Sequence, residues 1–128
     1  MREVDELFAA LAKSAFRRKF HLQDKDLEYL HNKGLTTVLS HANDFMSKWL
    51  APAFPEKDGK QTPFRWHPVF VAQHATACCC RGCLEKWHRI PKGRPLGVDE
   101  EIYILNILKC WLLEELHRHE SDLNANQK

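Results

Sequence analysis

Val4, Leu7, Phe8, Leu11, Ala15 and Phe16 recur at spacings of three and four residues, one apolar stripe of an amphipathic helix, and Phe20 extends it. A second, shorter helix is predicted from Asp24, as N-cap, to Lys33, with Gly34 placed where a left-handed residue ends a helix. Val38, Leu39, Ala42, Phe45, Met46, Trp49 and Leu50 make a third stripe, entered at Thr36 or Thr37 and stopped by Pro52. From Ala51 to Trp66 the periodicity lapses into APAFPEKDGKQTPFRW, a loop long enough to cover a site or meet a partner. Pro68 suits the first position of a helix carrying Val69, Phe70, Val71 and Ala72. A final helix is predicted from about Val98 to about His119, with Ile102, Leu105, Leu108, Trp111 or Leu112, and Leu116 facing inward.

No stretch alternates with period two long enough to compete as a strand, so the fold class is all-α. The expected architecture is a compact bundle of four to five helices with a Cys/His metal knuckle and a long irregular loop. Residues 1–120 form the domain and residues 121–128 (SDLNANQK) a disordered tail. A chain of 128 residues, 44% hydrophobic and 28% charged, is one ordinary globular domain with a real core. No apolar run approaches the roughly 20 residues of a membrane span. The acidic, amphipathic N-terminal segment lacks the features of a secretory signal, so a cytoplasmic location is expected, where clustered thiols hold metal more often than they form disulfides.

The formal net charge of +2 implies no polyanionic partner by itself. The cations are grouped, however. Lys13, Arg17, Arg18 and Lys19 form one cluster, and Arg81, Lys86, Arg89, Lys92 and Arg94 another.

Candidate chemistry concentrates in HATACCCRGCLEKWH, residues 74–88, which holds four of the five cysteines. Cys80 and Cys83 form C-x-x-C, a turn that lets two thiolates converge on one ion, with Gly82 easing the geometry. His74 and His88 are the nearest residues to complete a four-ligand zinc set. A continuous helix through residues 80–88 would turn Cys83 and His88 apart by roughly 140°. Either the helix starts after the knuckle, or His88 faces elsewhere and His67 or Cys79 supplies the fourth ligand; Cys79 and Cys83 are themselves a good one-turn pair. Zinc is the expected cofactor. An iron–sulfur cluster is second, because it would press Cys110 or two adjacent cysteines into service.

The next stretch, LEKWHRIPKGRPL, has the layout of a helix–hairpin–helix. With Arg81 just before it, Lys86, Arg89, Lys92, Gly93 and Arg94 are the candidates for contacting a phosphate backbone, and a plain turn fixed by Pro91 and Gly93 is the alternative.

HPVFVAQHATACCCRGCLEKWHRIPKGRPL, with DGKQTP before it and EEIYILNILKCW after it, resembles a small bacterial family known only as domain of unknown function 4186. The family pattern H-A-T-A-T-C-C-R-G-C-L-x-K-W-H-x-I-P-K-G falls on His74, Cys79, Cys80, Arg81, Gly82, Cys83, Trp87, His88, Pro91 and Gly93. Cys78 stands where threonine is expected, which marks it as the cysteine least needed as a ligand, and Gly97 stands where a capping threonine is usual. The resemblance carries no activity. Three function classes follow from the residues. The first is a zinc-stapled module binding nucleic acid or another protein. The second is a hydrolase-like enzyme with an open zinc position, for which Glu85 and His67 are the available bases. The third is a thiol-redox or metal-handling protein. No nucleotide-cofactor fingerprint, P-loop or Ser-His-Asp grouping is present.

Overall fold

Pro68–Ala75 is short, yet it is the most deeply buried helix of the molecule: Val69, Val71, Ala72, Gln73, His74 and Ala75 are all removed from solvent. A helix buried on nearly every side belongs at the centre of a bundle, and four of the other helices pack against this one. The computed structural model describes residues 1–126. Among the described residues there are seven α-helices and no strand. They are α1 (Val4–Leu11), α2 (Ala15–Arg18), α3 (Asp24–Lys33), α4 (Leu35–Phe45), α5 (Pro68–Ala75), α6 (Arg81–His88) and α7 (Val98–Asn126); α4 runs on into a π-helical segment, Met46–Leu50. None of these helices is long and apolar enough to cross a membrane.

The core joins Leu7 and Leu11 of α1, Leu30 of α3, Val38 and Ala42 of α4, Met46 and Leu50 of the π segment, and Ile104, Ile107, Leu108 and Leu112 of α7. Three stripes differ from their sequence patterns, each for a local reason. The first breaks at Ser14, whose hydroxyl accepts from Arg17 N (3.2 Å) and starts a new helix in a new phase. Phe16 therefore faces outward and Arg17 inward. In the third, α4 begins at Leu35 directly after Gly34 (φ +85°), ahead of the threonines. Its π-helical continuation, wider than an α-turn, keeps Met46 and Leu50 buried and leaves Trp49 exposed. In the last, the buried face of α7 is centred on Ile104, Leu108 and Leu112. Ile102 lies about 200° around the helix from Ile104 and is exposed, contrary to expectation.

The helix α7 also outruns its expected end at His119. No proline or glycine stops SDLNAN, and Leu116 and Leu123 lie with Leu27 of α3 along one groove. The tail expected from Ser121 onward is thus helical as far as Asn126, and residues 127–128 lie outside the described residues. The 51–66 loop is irregular as expected and is tied down at the far end of α5, where Thr62 Oγ1 donates to Cys79 O (2.8 Å) and Asp58 Oδ1 accepts from Arg81 N (3.0 Å).

Candidate metal centre

Helix α5 ends in a hydrogen-bonded turn that aims the cysteines. Thr76 Oγ1 donates back to Ala72 O (2.7 Å), Ala77 takes a left-handed conformation (φ +60°), and Cys78 N reaches Gln73 O (2.7 Å). The chain then runs extended through Cys80, which caps α6: its Sγ accepts from Cys83 N (3.3 Å). Capping by sulfur places Cys80 and Cys83 on one side of the first turn of α6, and Cys79 joins them. The three sulfurs lie within 4.8 Å of one another. Cys79 is buried; Cys80 and Cys83 are half-buried. The glycine in C-R-G-C is less constrained than the motif implies, since a methyl at Gly82 would meet Cys80 Sγ at an ordinary 3.9 Å.

Arg17 completes the arrangement. Its guanidinium, buried by the turn at Ser14, donates to His74 O (2.6 Å) and Cys83 Sγ (3.2 Å) and approaches Cys79 Sγ (3.8 Å). It also lies over the rings of Phe16 and Trp87. Hydrogen bonds from Cys79 and Cys80, and then the Arg17 cation, hold the Cys83 thiol well below its ordinary range. Hydrogen bonding to Cys80 and Cys83, with burial, pushes Cys79 up. Cys83 is thus the most acidic thiol of the trio, and it faces Arg17. In the sequence Arg17 stands out only as one of a basic cluster; the signal for its burial was the capping serine three residues before it.

Of the five expected ligands, the structure brings Cys79, Cys80 and Cys83 together and places both histidines elsewhere. His74 Nε2 donates to Thr62 O (2.9 Å), and its ring is stacked on Phe64 (4.1 Å) and Phe20 (5.6 Å). It serves the centre through its backbone carbonyl, which anchors Arg17. His88, fully buried, donates from Nε2 to Thr76 O (2.8 Å) and accepts at Nδ1 from Tyr103 Oη (2.7 Å). Burial pushes its pKa down to about 4. The helix beginning at Arg81 turns Cys83 and His88 to different faces, as the 140° argument requires. Cys78 stays apart from the trio: fully buried, its Sγ lies 3.5 Å from His88 Nε2, and burial raises its thiol to about 12. Cys110 sits beside Asn106 on α7 and does not join either.

The expected phosphate contacts do not form one free basic face. Arg81 is wholly buried, donating to the carbonyls of Pro52 (2.7 Å), Pro91 (3.0 Å) and Arg94 (2.8 Å), with Leu50 and Ala51 close by. It is a clamp between the start of the long loop and the turn before α7. Arg94 is forked onto Glu100 (2.6 and 2.7 Å), which holds that carboxyl at about 2. Arg89 pairs with Glu6 (3.2 Å). Lys86, Lys92 and Gly93 remain at the surface, Gly93 with the positive φ (+89°) its turn requires.

The chain belongs to the family described as domain of unknown function 4186, whose model matches residues 5–113. That span contains the three cysteines, Arg17 and the 51–66 loop. No solved structure matches the chain.

Proposed function

We propose that the protein holds one thiophilic divalent ion, zinc, on Cys79, Cys80 and Cys83, with the fourth position filled from outside the chain's own cluster. The observation that supports this most is the convergence of three sulfurs within 4.8 Å, while no fourth His, Cys, Asp or Glu joins them among the described residues. Thiolates select zinc and other soft ions over magnesium or calcium. Four protein ligands close a structural site, and three leave one position exchangeable. Charge agrees: three thiolates on a divalent ion leave one net negative charge, and the Arg17 guanidinium touches two of the sulfurs. When bound, such an ion supplies a centre that takes and releases one further ligand.

Between the two classes that use an open position, metal handling is favoured over hydrolysis. A hydrolytic site needs a general base beside the open position, and both bases the sequence offers are engaged elsewhere. Glu85 Oε2 accepts from Lys92 N (3.1 Å), and His67 Nδ1 caps α5 by accepting from Val69 N (3.0 Å). Cobalt substitution tests the reading. The cobalt form should show sulfur-to-metal charge-transfer absorption scaled to three thiolates, and its visible bands should shift on adding a small thiol or imidazole. A spectrum of two or fewer thiolates, or one insensitive to added ligand, would contradict it.

A further inference from the structure

Two aromatic–basic segments distant in sequence meet beside the metal centre. The first, Phe16-Arg17-Arg18-Lys19-Phe20, covers α2 and its exit; the second, Phe64-Arg65-Trp66, ends the long loop. Phe20 and Phe64 stack nearly parallel (6.3 Å, 9°), which joins them. Phe64 rests one face on the buried His74 and is 61% exposed, and Trp66 is 81% exposed. Trp66 is also held at φ +89°, a conformation that disfavours a bulky side chain. Cations are interleaved with these rings: Arg65 lies over Trp66 (5.8 Å), and Lys19 over Phe16 (4.5 Å) and Phe20 (5.5 Å). Lys19, Phe20, Phe64 and Arg65 line a cleft of about 290 Å³, near the lower bound of roughly 300 Å³ for a small-molecule pocket. That is room for one ring system rather than a folded ligand.

We propose that this surface binds single-stranded nucleic acid, its bases stacking on Phe64 and Trp66 and its phosphates meeting Lys19, Arg65 and Arg18. Charge selects the partner. The exposed cations of residues 13–21 and 56–66 are Lys13, Arg18, Lys19, Lys57, Lys60 and Arg65, against the acids Glu56 and Asp58; Asp58 is engaged with Arg81 N, and Asp26, which also lines the cleft, with Gln23 N. Exposed rings set among cations are what sequence-tolerant strand binding uses: every base has a π-face and every nucleotide a charge. A duplex hides its bases and offers the rings nothing. The proposal uses a different set of residues from Lys86–Arg94 and does not rest on the metal reading.

Fluorescence anisotropy with labelled oligouridine and oligothymidine of about 12 nucleotides, against a duplex of equal length, tests it. At low salt the strands should bind and the duplex should bind at least about tenfold more weakly; the RNA and DNA arms show which sugar is preferred. Trp66→Ala should weaken strand binding by about 5- to 100-fold. Lys19→Gln and Arg65→Gln should each flatten the salt slope by about 0.7, while Lys92→Gln leaves it unchanged. Trp66 is the deciding ring because Phe64→Ala also frees His74 and can loosen the fold. The proposal is overturned by no strand binding at about 100 μM protein, by equal affinity for the duplex, or by wild-type binding in Trp66→Ala. It is equally overturned if neither strand binds and sedimentation shows self-association that Trp66→Ala abolishes, which would make this face an interface between copies of the chain.

Discussion

Replacing Arg17 by methionine separates a metal centre from three packed cysteines. The substitution keeps an apolar stem and removes the guanidinium, which lies over the Phe16 and Trp87 rings and meets Cys83 Sγ at 3.2 Å and Cys79 Sγ at 3.8 Å. Unit charges 3.2 Å apart attract by about 5 kcal/mol at an effective dielectric of 20. That is an upper bound, because Cys83 is half-exposed and solvent screens the pair. Partners of this kind, which touch the ligands and not the ion, typically change affinity about 10- to 100-fold, or about 1.4 to 2.8 kcal/mol. Arg17→Met should therefore weaken zinc binding by that factor in competition with a chromophoric chelator, and Arg17→Lys should fall between it and wild type. Stability should also drop, because His74 O loses its donor, but the drop should be larger with zinc than with chelator. Zinc affinity within threefold of wild type in Arg17→Met would refute the electrostatic argument.

Cys83→Ser should abolish zinc binding, whereas Cys78→Ala should retain one equivalent and cost about 1 kcal/mol in urea unfolding as a small core truncation; equal metal loss in both would break the distinction drawn between them. Arg81→Met should lower stability by about 3 kcal/mol or more, since it strips donors from several loop carbonyls, and zinc bound per folded molecule should not change. Burial holds His67 and His88 near pKa 4, below their usual 6.5. The unfolded chain therefore takes up protons first as pH falls, and stability present above about 6.5 is lost progressively toward 4. With zinc saturating, the urea midpoint should fall between pH 7 and pH 5 by the equivalent of about 1 to 2 kcal/mol per histidine, and His88→Gln should remove part of that slope. An identical pH dependence in His88→Gln would show that His88 does not carry it.

Much of the bundle was legible because its signals are local. Gly34 ends α3, Pro68 opens α5, and the 51–66 segment has the prolines and glycine of a loop. The lost details depend on phase. A capping serine reset the register after α1, a π-helical segment turned Trp49 outward, and α7 buried the Ile104 face in place of Ile102. At the site, C-x-x-C spacing pointed to Cys80 and Cys83; Cys79 joins them by another route than the helical pairing its spacing suggested, because α6 starts at Arg81 and Cys80 is extended. The histidines misled because spacing does not reveal competing partners: Thr62 O, Thr76 O and Tyr103 Oη claim their nitrogens in the folded chain. Arg81 misled in the same way, as carbonyls distant in sequence enclose its cation. A charge in a sequence string gives no sign that it is a buried clamp.

The most direct test is the metal content of the protein purified without added metal, read by elemental analysis and native mass spectrometry on wild type, Cys80→Ser and Cys83→Ser. The account predicts about one zinc per wild-type chain and none in either variant, with chelator lowering the wild-type melting temperature because bound metal contributes folding free energy. Wild-type protein that carries no metal, binds none when zinc is supplied, and unfolds identically with and without chelator would contradict it, and the three cysteines would then be packing residues.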